Sequence, residues 1–372
     1  MSPPVSEIRL NSLTGLRFIA ALIVVLYHIS AFVLPEIGPF IVLGYTGVAF
    51  FFVLSGFVLA WSFRPTTSRR VFYWRRFARI WPLHALTTLL AAAYLSVNDG
   101  AVSLERLPAV LLLVQAWNQE WANAFNGVSW SLSAEAFFYL CFPLLAAWLS
   151  RYNVKAVLGA AAAVFGTAAV AYWVLFTFWT AVPWGDLLYI LPAFRMVDFT
   201  IGVCLAFAFR RGWRPRFGAT TGALIAGGSF VLLEAIVPMV PEIFRPETAT
   251  LLMMPGIAAL VAGFAKRDLA GGTGLSSTPV MVRLGEWSFS LYLIHELVIR
   301  VALMLHPLRL HQRVGISFGV LVVSIALSAL LYQLVERPLE KRLRPLVAMR
   351  KADAGSGGQG AVPDQRETVA RL

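Results

Sequence analysis

Charge and cysteine are both scarce in this chain. Only 13% of its 372 residues are Asp, Glu, Lys or Arg, while 59% are hydrophobic; a soluble domain carries roughly 25% charged residues. The shortage excludes an ordinary water-soluble enzyme and points to an integral membrane protein. Cys141 and Cys204 are the only cysteines and lie in separate apolar runs without C-x-x-C spacing, so neither a disulfide framework nor a metal site follows. No stretch is long enough for a separate soluble module, and no internal repeat of the kind common in transporter folds is visible. The first apolar run is not a cleaved signal peptide: it is too long, lacks an A-x-A-like site and carries Arg17 and His28 within it.

What is present is a succession of long apolar runs. At about 20 residues per membrane crossing, they predict an all-α, polytopic transmembrane bundle of ten spans near 13–34, 44–63, 80–97, 128–149, 154–176, 187–209, 217–237, 248–265, 281–304 and 313–335. The run from Leu107 to Trp117 is too short to cross and reads as a re-entrant or interfacial segment. The net charge of +12 could suggest nucleic acid, but its placement decides otherwise. Arg64 to Arg79, Arg151, Lys155, Arg210 to Arg216, Lys266, Arg267 and the basic C-terminal segment fall on one side of this topology. The opposite connections hold only Arg106, Arg245 and Arg309 among basic residues, while carrying Asp99, Glu105, Glu120, Asp186, Glu242 and Glu247. By the positive-inside rule both termini are cytoplasmic. The chain thus divides into a short cytoplasmic start (1–12), a membrane domain (13–340) and a disordered basic tail (341–372).

Ionisable residues inside hydrocarbon are functional candidates by default. Arg17 and His28 are eleven residues apart, three turns plus about 20°, and so share one helix face roughly 16 Å apart along the axis. A cation near one membrane surface suits an anionic ligand; an imidazole deeper in suits proton transfer from a hydroxyl. SRRVFYWRRFARIWP brings Arg75, Arg76 and Arg79 to the cytoplasmic end of the third span. Their reading stays open between a lipid-facing basic collar and a phosphate site matched by the guanidinium fork. Glu135 enters the fourth span about two turns from the outer surface, with Trp130 and Ser131 just before it, and Trp130 is equally an interfacial anchor. Ser55 lies near mid-membrane in a glycine-containing stretch but has no G-x-S-x-G context. Arg195 and Asp198 are spaced as an intrahelical pair, as are Glu296 and Arg300. His295 precedes Glu296, yet Ile299 stands where a zincin motif needs histidine. ERPLEKRLRP, from Glu336, reads as a helix exit with a basic collar.

These segments together resemble the acyltransferase-three family of membrane O-acyltransferases. The resemblance runs from about residue 9 to 340. It rests on LTGLRFIAALIVVLYH, GVAFFFVLSGF, the R-x-x-R at Arg76 and Arg79, WSLSAE, SFSLYLIH and the closing ERP, in that order. It implies transfer of an acyl group, acetyl or another short chain, from cytoplasmic acyl-coenzyme A to a hydroxyl. The acceptor would be a sugar, an exopolysaccharide, a lipid-linked glycan or a macrolide glycoside, and the setting a bacterial cytoplasmic membrane. Acyl-coenzyme A would be a co-substrate rather than a resident cofactor. By the same resemblance His28, with Glu135 and His295, would be catalytic, and Arg17, Arg75, Arg76 and Arg79 would bind the donor. Trp130, Ser131 and Ser55 are candidates for the acceptor site. A polarised passage would join the arginines to the imidazole. The rival reading from another class is a proton-coupled secondary transporter of a small anionic solute, since intramembrane Arg, His and Glu also build proton relays.

Overall fold

Helices without a capping side chain of their own need partners for the amides and carbonyls at their ends, and here those partners come from distant helices. The structure is a computed structural model that describes residues 9–98, 104–178, 184–239, 246–306 and 309–343. Ten long helices carry it: α1 (Asn11–Phe32), α2 (Gly47–Trp61), α3 (Arg69–Asn98), α4 (Trp130–Leu149), α5 (Val154–Phe178), α6 (Pro192–Arg210), α7 (Ala219–Ile236), α8 (Pro246–Leu269), α9 (Pro279–Leu303) and α10 (Leu310–Leu331). The described residues include no strand. The chain is an all-α polytopic membrane bundle. Among the described residues nine segments, counting the 3₁₀ turn Val42–Thr46 with α2, are long and apolar enough to cross a membrane. The tenth, α9, has 25 residues but spends its polarity on Arg283, Glu286, His295, Glu296 and Arg300.

The caps follow the helix dipole. Leu10 precedes α1 without capping it, and Asp268 of α8 accepts the Ser12 amide at 3.0 Å instead. Glu234 of α7 accepts the Leu43 amide at 2.7 Å, in the turn that opens α2. Glu296 of α9 accepts the Val128 amide at 2.9 Å, in the turn that opens α4. At the opposite ends of α2 and α4 the sign reverses. Arg210 donates to the carbonyls of Ala60 and Phe63, and Arg211 to those of Leu149 and Ser150. Carboxylates at amino ends and guanidinium groups at carboxyl ends each oppose the local partial charge.

Small residues let the central helices touch. α2 lies along α6 and α1 along α9. A Cβ on Gly56 would come within 2.1 Å of the Phe199 carbonyl oxygen, and one on Gly202 within 1.9 Å of that of Val53. The core built around this crossing is aromatic, with Phe57, Phe138, Phe142, Phe199 and Phe209 all fully buried.

Two expectations change and one is narrowed. α3 begins at Arg69, eleven residues before the expected span, so the helix that carries Arg75, Arg76 and Arg79 extends well beyond the apolar run. Leu107–Trp117 does re-enter: Trp81 Nε1 donates to the Leu111 carbonyl, and His84 Nε2 to that of Val110 at 2.8 Å. Trp81 is 17 residues before the end of α3, which places the segment about 25 Å back along that helix. The chain reverses around Leu113, whose φ of 59° is rare for a residue with a branched side chain. Finally, Glu336 is no helix exit. A π-helical turn, Tyr332–Glu336, continues α10 into Arg337–Leu343, and Glu336 is buried inside it. The expected N-terminal segment up to residue 8, and the tail from 344, lie outside the described residues.

Candidate functional site

α1, α2, α4 and α9 enclose two cavities, one at each end of the Arg17–His28 face. The first, of about 160 Å³, is lined by Arg17, Ser55, Arg76, Arg79, Ser131 and Glu135 among others. Arg17 has no hydrogen bond or salt bridge within the described residues. Arg76 has only the Tyr139 ring, 5.8 Å from its guanidinium carbon, and its Nε is buried without a partner. Arg79 is different, because Glu336 and Glu340 hold it at 3.2 and 3.1 Å. Glu336 also accepts from Ser290 at 2.7 Å. Two unpaired guanidinium groups and one clamped beside them make a cationic pocket with anion capacity to spare. Arg75 is not among its lining residues.

Glu135 belongs to this first cavity. Ser55 donates to it at 3.0 Å and Tyr139, one turn on, also donates to it. No contact joins it to either histidine within the described residues. Its position departs from the sequence expectation because α4 starts below the surface: the turn before it is held by Glu296, two turns short of the end of α9. Each residue of α4 is therefore deeper than its distance from the preceding loop implies.

The second cavity, about 590 Å³, is lined by His28, Tyr45, Trp130, Tyr189, Glu296 and Arg300 among others. His28 Nδ1 donates to the Val24 carbonyl at 2.8 Å and lies 3.3 Å from Nε2 of His295. His295 Nδ1 in turn is 3.2 Å from the Leu291 carbonyl. One proton assignment satisfies all three contacts: both rings carry their proton on Nδ1, His295 Nε2 accepts from His28, and His28 Nε2 stays unprotonated. His295 is 0% exposed and does not line the cavity. The Val24 carbonyl thus fixes the His28 tautomer, and the geometry makes His28 the imidazole open to a ligand and His295 the ring packed behind it. Trp130, 6% exposed, is a cavity wall rather than an interfacial anchor. Of the three acceptor-site candidates, Trp130 stands with His28, whereas Ser55 and Ser131 line the arginine cavity.

Glu296 pairs with Arg300 as expected, at 2.6 Å. Arg195 and Asp198 also pair, but inside the bundle, where the guanidinium sits 5.6 Å from each of the Phe52 and Tyr189 ring centres. The expected passage is divided between two cavities that share Val48 and Tyr292 as lining residues. Tyr139 and Tyr292 escaped the reading of the sequence, and Glu336 looked like a helix exit. Tyr139 was accessible to it, four residues after Glu135; Tyr292 and Glu336 depend on contacts between helices far apart in the chain.

Comparison with known proteins adds the chemistry. Residues 10–333 match the acyltransferase domain that defines one protein family. The chain is 35% identical to "Acyltransferase MdmB" of Streptomyces mycarofaciens, over 91% of this chain and 94% of that one. It is 28% identical to "Exopolysaccharide production protein ExoZ" of Rhizobium meliloti (strain 1021), over 87% of this chain and 97% of that one. No solved structure matches the chain. With its family domain spanning the bundle and both cavities, the chain belongs to the acyltransferase-three family and is a membrane enzyme that transfers acyl groups other than amino-acyl groups.

Proposed function

We propose that the enzyme moves a short acyl group from cytoplasmic acyl-coenzyme A to a hydroxyl of a sugar-bearing acceptor, in a bacterial cytoplasmic membrane. The observation that carries this reading is the division of labour along α1: unpaired Arg17 with Arg76 in one cavity, and an open imidazole backed by a second one in the next. Coenzyme A bears a diphosphate and a ribose phosphate, which suit the arginine cavity. Its thin pantetheine arm would extend along α1 toward His28, roughly 16 Å away. The larger, tyrosine- and tryptophan-walled cavity suits a sugar, whose ring faces stack on aromatic side chains while its hydroxyls meet polar groups such as Glu296. Exopolysaccharide, a lipid-linked glycan and a macrolide glycoside all present such a hydroxyl.

The chemistry is general-base acyl transfer. His28 Nε2 takes the acceptor proton as the acceptor oxygen bonds to the thioester carbon, and the carbonyl electron pair moves to oxygen. Collapse of that oxyanion breaks the carbon–sulfur bond, and the departing thiolate takes the proton back from His28. The rival transporter reading loses its footing in a chain that belongs to an acyltransferase family. Turnover of His28→Ala tests the role of the base: kcat should fall by about 10²–10⁴ with donor affinity unchanged. Near-normal turnover would remove His28 from the mechanism.

A further inference from the structure

The tetrahedral oxyanion needs a hydrogen-bond donor between the donor's arginines and the base, and the wall between the cavities holds a pair of them. Tyr292 lines both cavities. It lies on α9 three residues before His295, with the two rings 6.0 Å apart. The Tyr292 hydroxyl donates to the Val128 carbonyl at 3.0 Å. Ser131 Oγ lies 3.0 Å from that same carbonyl and 2.9 Å from the Tyr292 oxygen. Three polar contacts therefore connect two hydroxyls and one carbonyl, and only two protons are available to fill them.

We infer that Tyr292, with Ser131 left to hold the Val128 carbonyl in its place, is the oxyanion donor of the reaction. If Ser131 keeps its bond to the Val128 carbonyl, the Tyr292 proton is free to turn toward a substrate oxygen. The exchange forgoes one neutral hydrogen bond for a stronger one to a developing anion in a site shielded from water. Position favours the phenol over other groups. A pantetheine arm leading from the arginine cavity to His28 would pass Val48 and Tyr292, the residues that line both cavities, and Val48 has no donor. The thioester carbonyl thus meets this hydroxyl on its way to the imidazole. The carbonyl of Val128 is itself anchored, since Glu296 holds the amide of the same residue. In the reaction Tyr292 lends a hydrogen bond and keeps its proton, so the balance of the acyl transfer is unchanged.

This inference rests on the acyl-coenzyme A reading, and binding measurements separate the two. The trifluoromethyl ketone analogue of acetyl-coenzyme A forms a hydrate with a tetrahedral, easily ionised oxygen, and a complementary site holds such a mimic more tightly than coenzyme A itself. Titration calorimetry on the full chain in nanodiscs should show that preference in the wild-type protein. Tyr292→Phe keeps the ring against Phe51 and His295, and should lose most of the preference while its coenzyme A affinity stays the same. Its kcat should fall by about 10²–10³. Ser131→Ala should lose a smaller part. If Tyr292→Phe retained the preference, or Trp130→Phe alone abolished it, the assignment of Tyr292 would be overturned. If the wild-type protein bound no coenzyme A, the donor reading itself would fall, and this inference with it.

Discussion

Arg76 and Arg79 are one turn apart on α3 and both reach the same cavity, yet their surroundings give them different work. Arg76 has no carboxylate partner among the described residues, so its charge is available to a phosphate. Arg79 lies between Glu336 and Glu340, and the Glu336 side chain is only 1% exposed. Removing one partner of a buried pair leaves the other charged and unpaired, at about 3–5 kcal/mol. Arg76→Gln should therefore raise the KM for acyl-coenzyme A several-fold with no loss of thermal stability. Arg79→Gln should lower the unfolding temperature markedly, whatever it does to donor binding. Thermal unfolding followed by tryptophan fluorescence, set beside donor kinetics, checks both. Equal loss of stability in the two variants would mean that the arginines share one structural role.

At the scale of elements, α2 and α6 meet where neither carries a side chain. The Cβ of an alanine at 202 would sit 1.9 Å from the Val53 oxygen and 2.8 Å from its carbon, and backbone cannot retreat as a flexible side chain would. Overpacking of this kind costs typically about 1–3 kcal/mol, so Gly202→Ala should lower the melting temperature and loosen the cavity walls that α2 supplies. An unchanged melting temperature would mean that the two helices part easily. Much at this scale was legible in the sequence. Spacing on α1 put Arg17 and His28 on one face, and the structure has both facing cavities. The Glu296–Arg300 and Arg195–Asp198 pairs also followed from helical spacing. What escaped were relations between helices. Hydropathy locates an apolar run but not the depth at which its helix begins, so Glu135 was assigned to the outer half and lies instead with the arginines. ERP looked like a surface collar because nothing local reveals that Arg79, more than 250 residues earlier, is the partner of Glu336.

For the molecule as a whole, the basic residues are more than a topological signal. Arg210 and Arg211 close the carboxyl ends of α2 and α4, so the side rich in arginine is also the side where these helices terminate. If that side is cytoplasmic, a cysteine replacing Thr66 should react with a membrane-impermeant maleimide only after the cells are opened. One replacing Glu120 should react in intact cells. Both native cysteines would first be changed to alanine. The reverse pattern would put the donor cavity on the wrong side for coenzyme A.

The carboxylates that close the amino ends of α1, α2 and α4 come from α8, α7 and α9. A ribosome feeding this chain into the bilayer releases α1 roughly 250 residues before Asp268 exists to receive its amides. Early segments must therefore wait in the lipid with their termini unsatisfied, or shielded by the insertion machinery, until the second half of the chain arrives. The enzyme cannot mature half by half: its first helices are finished by its last ones.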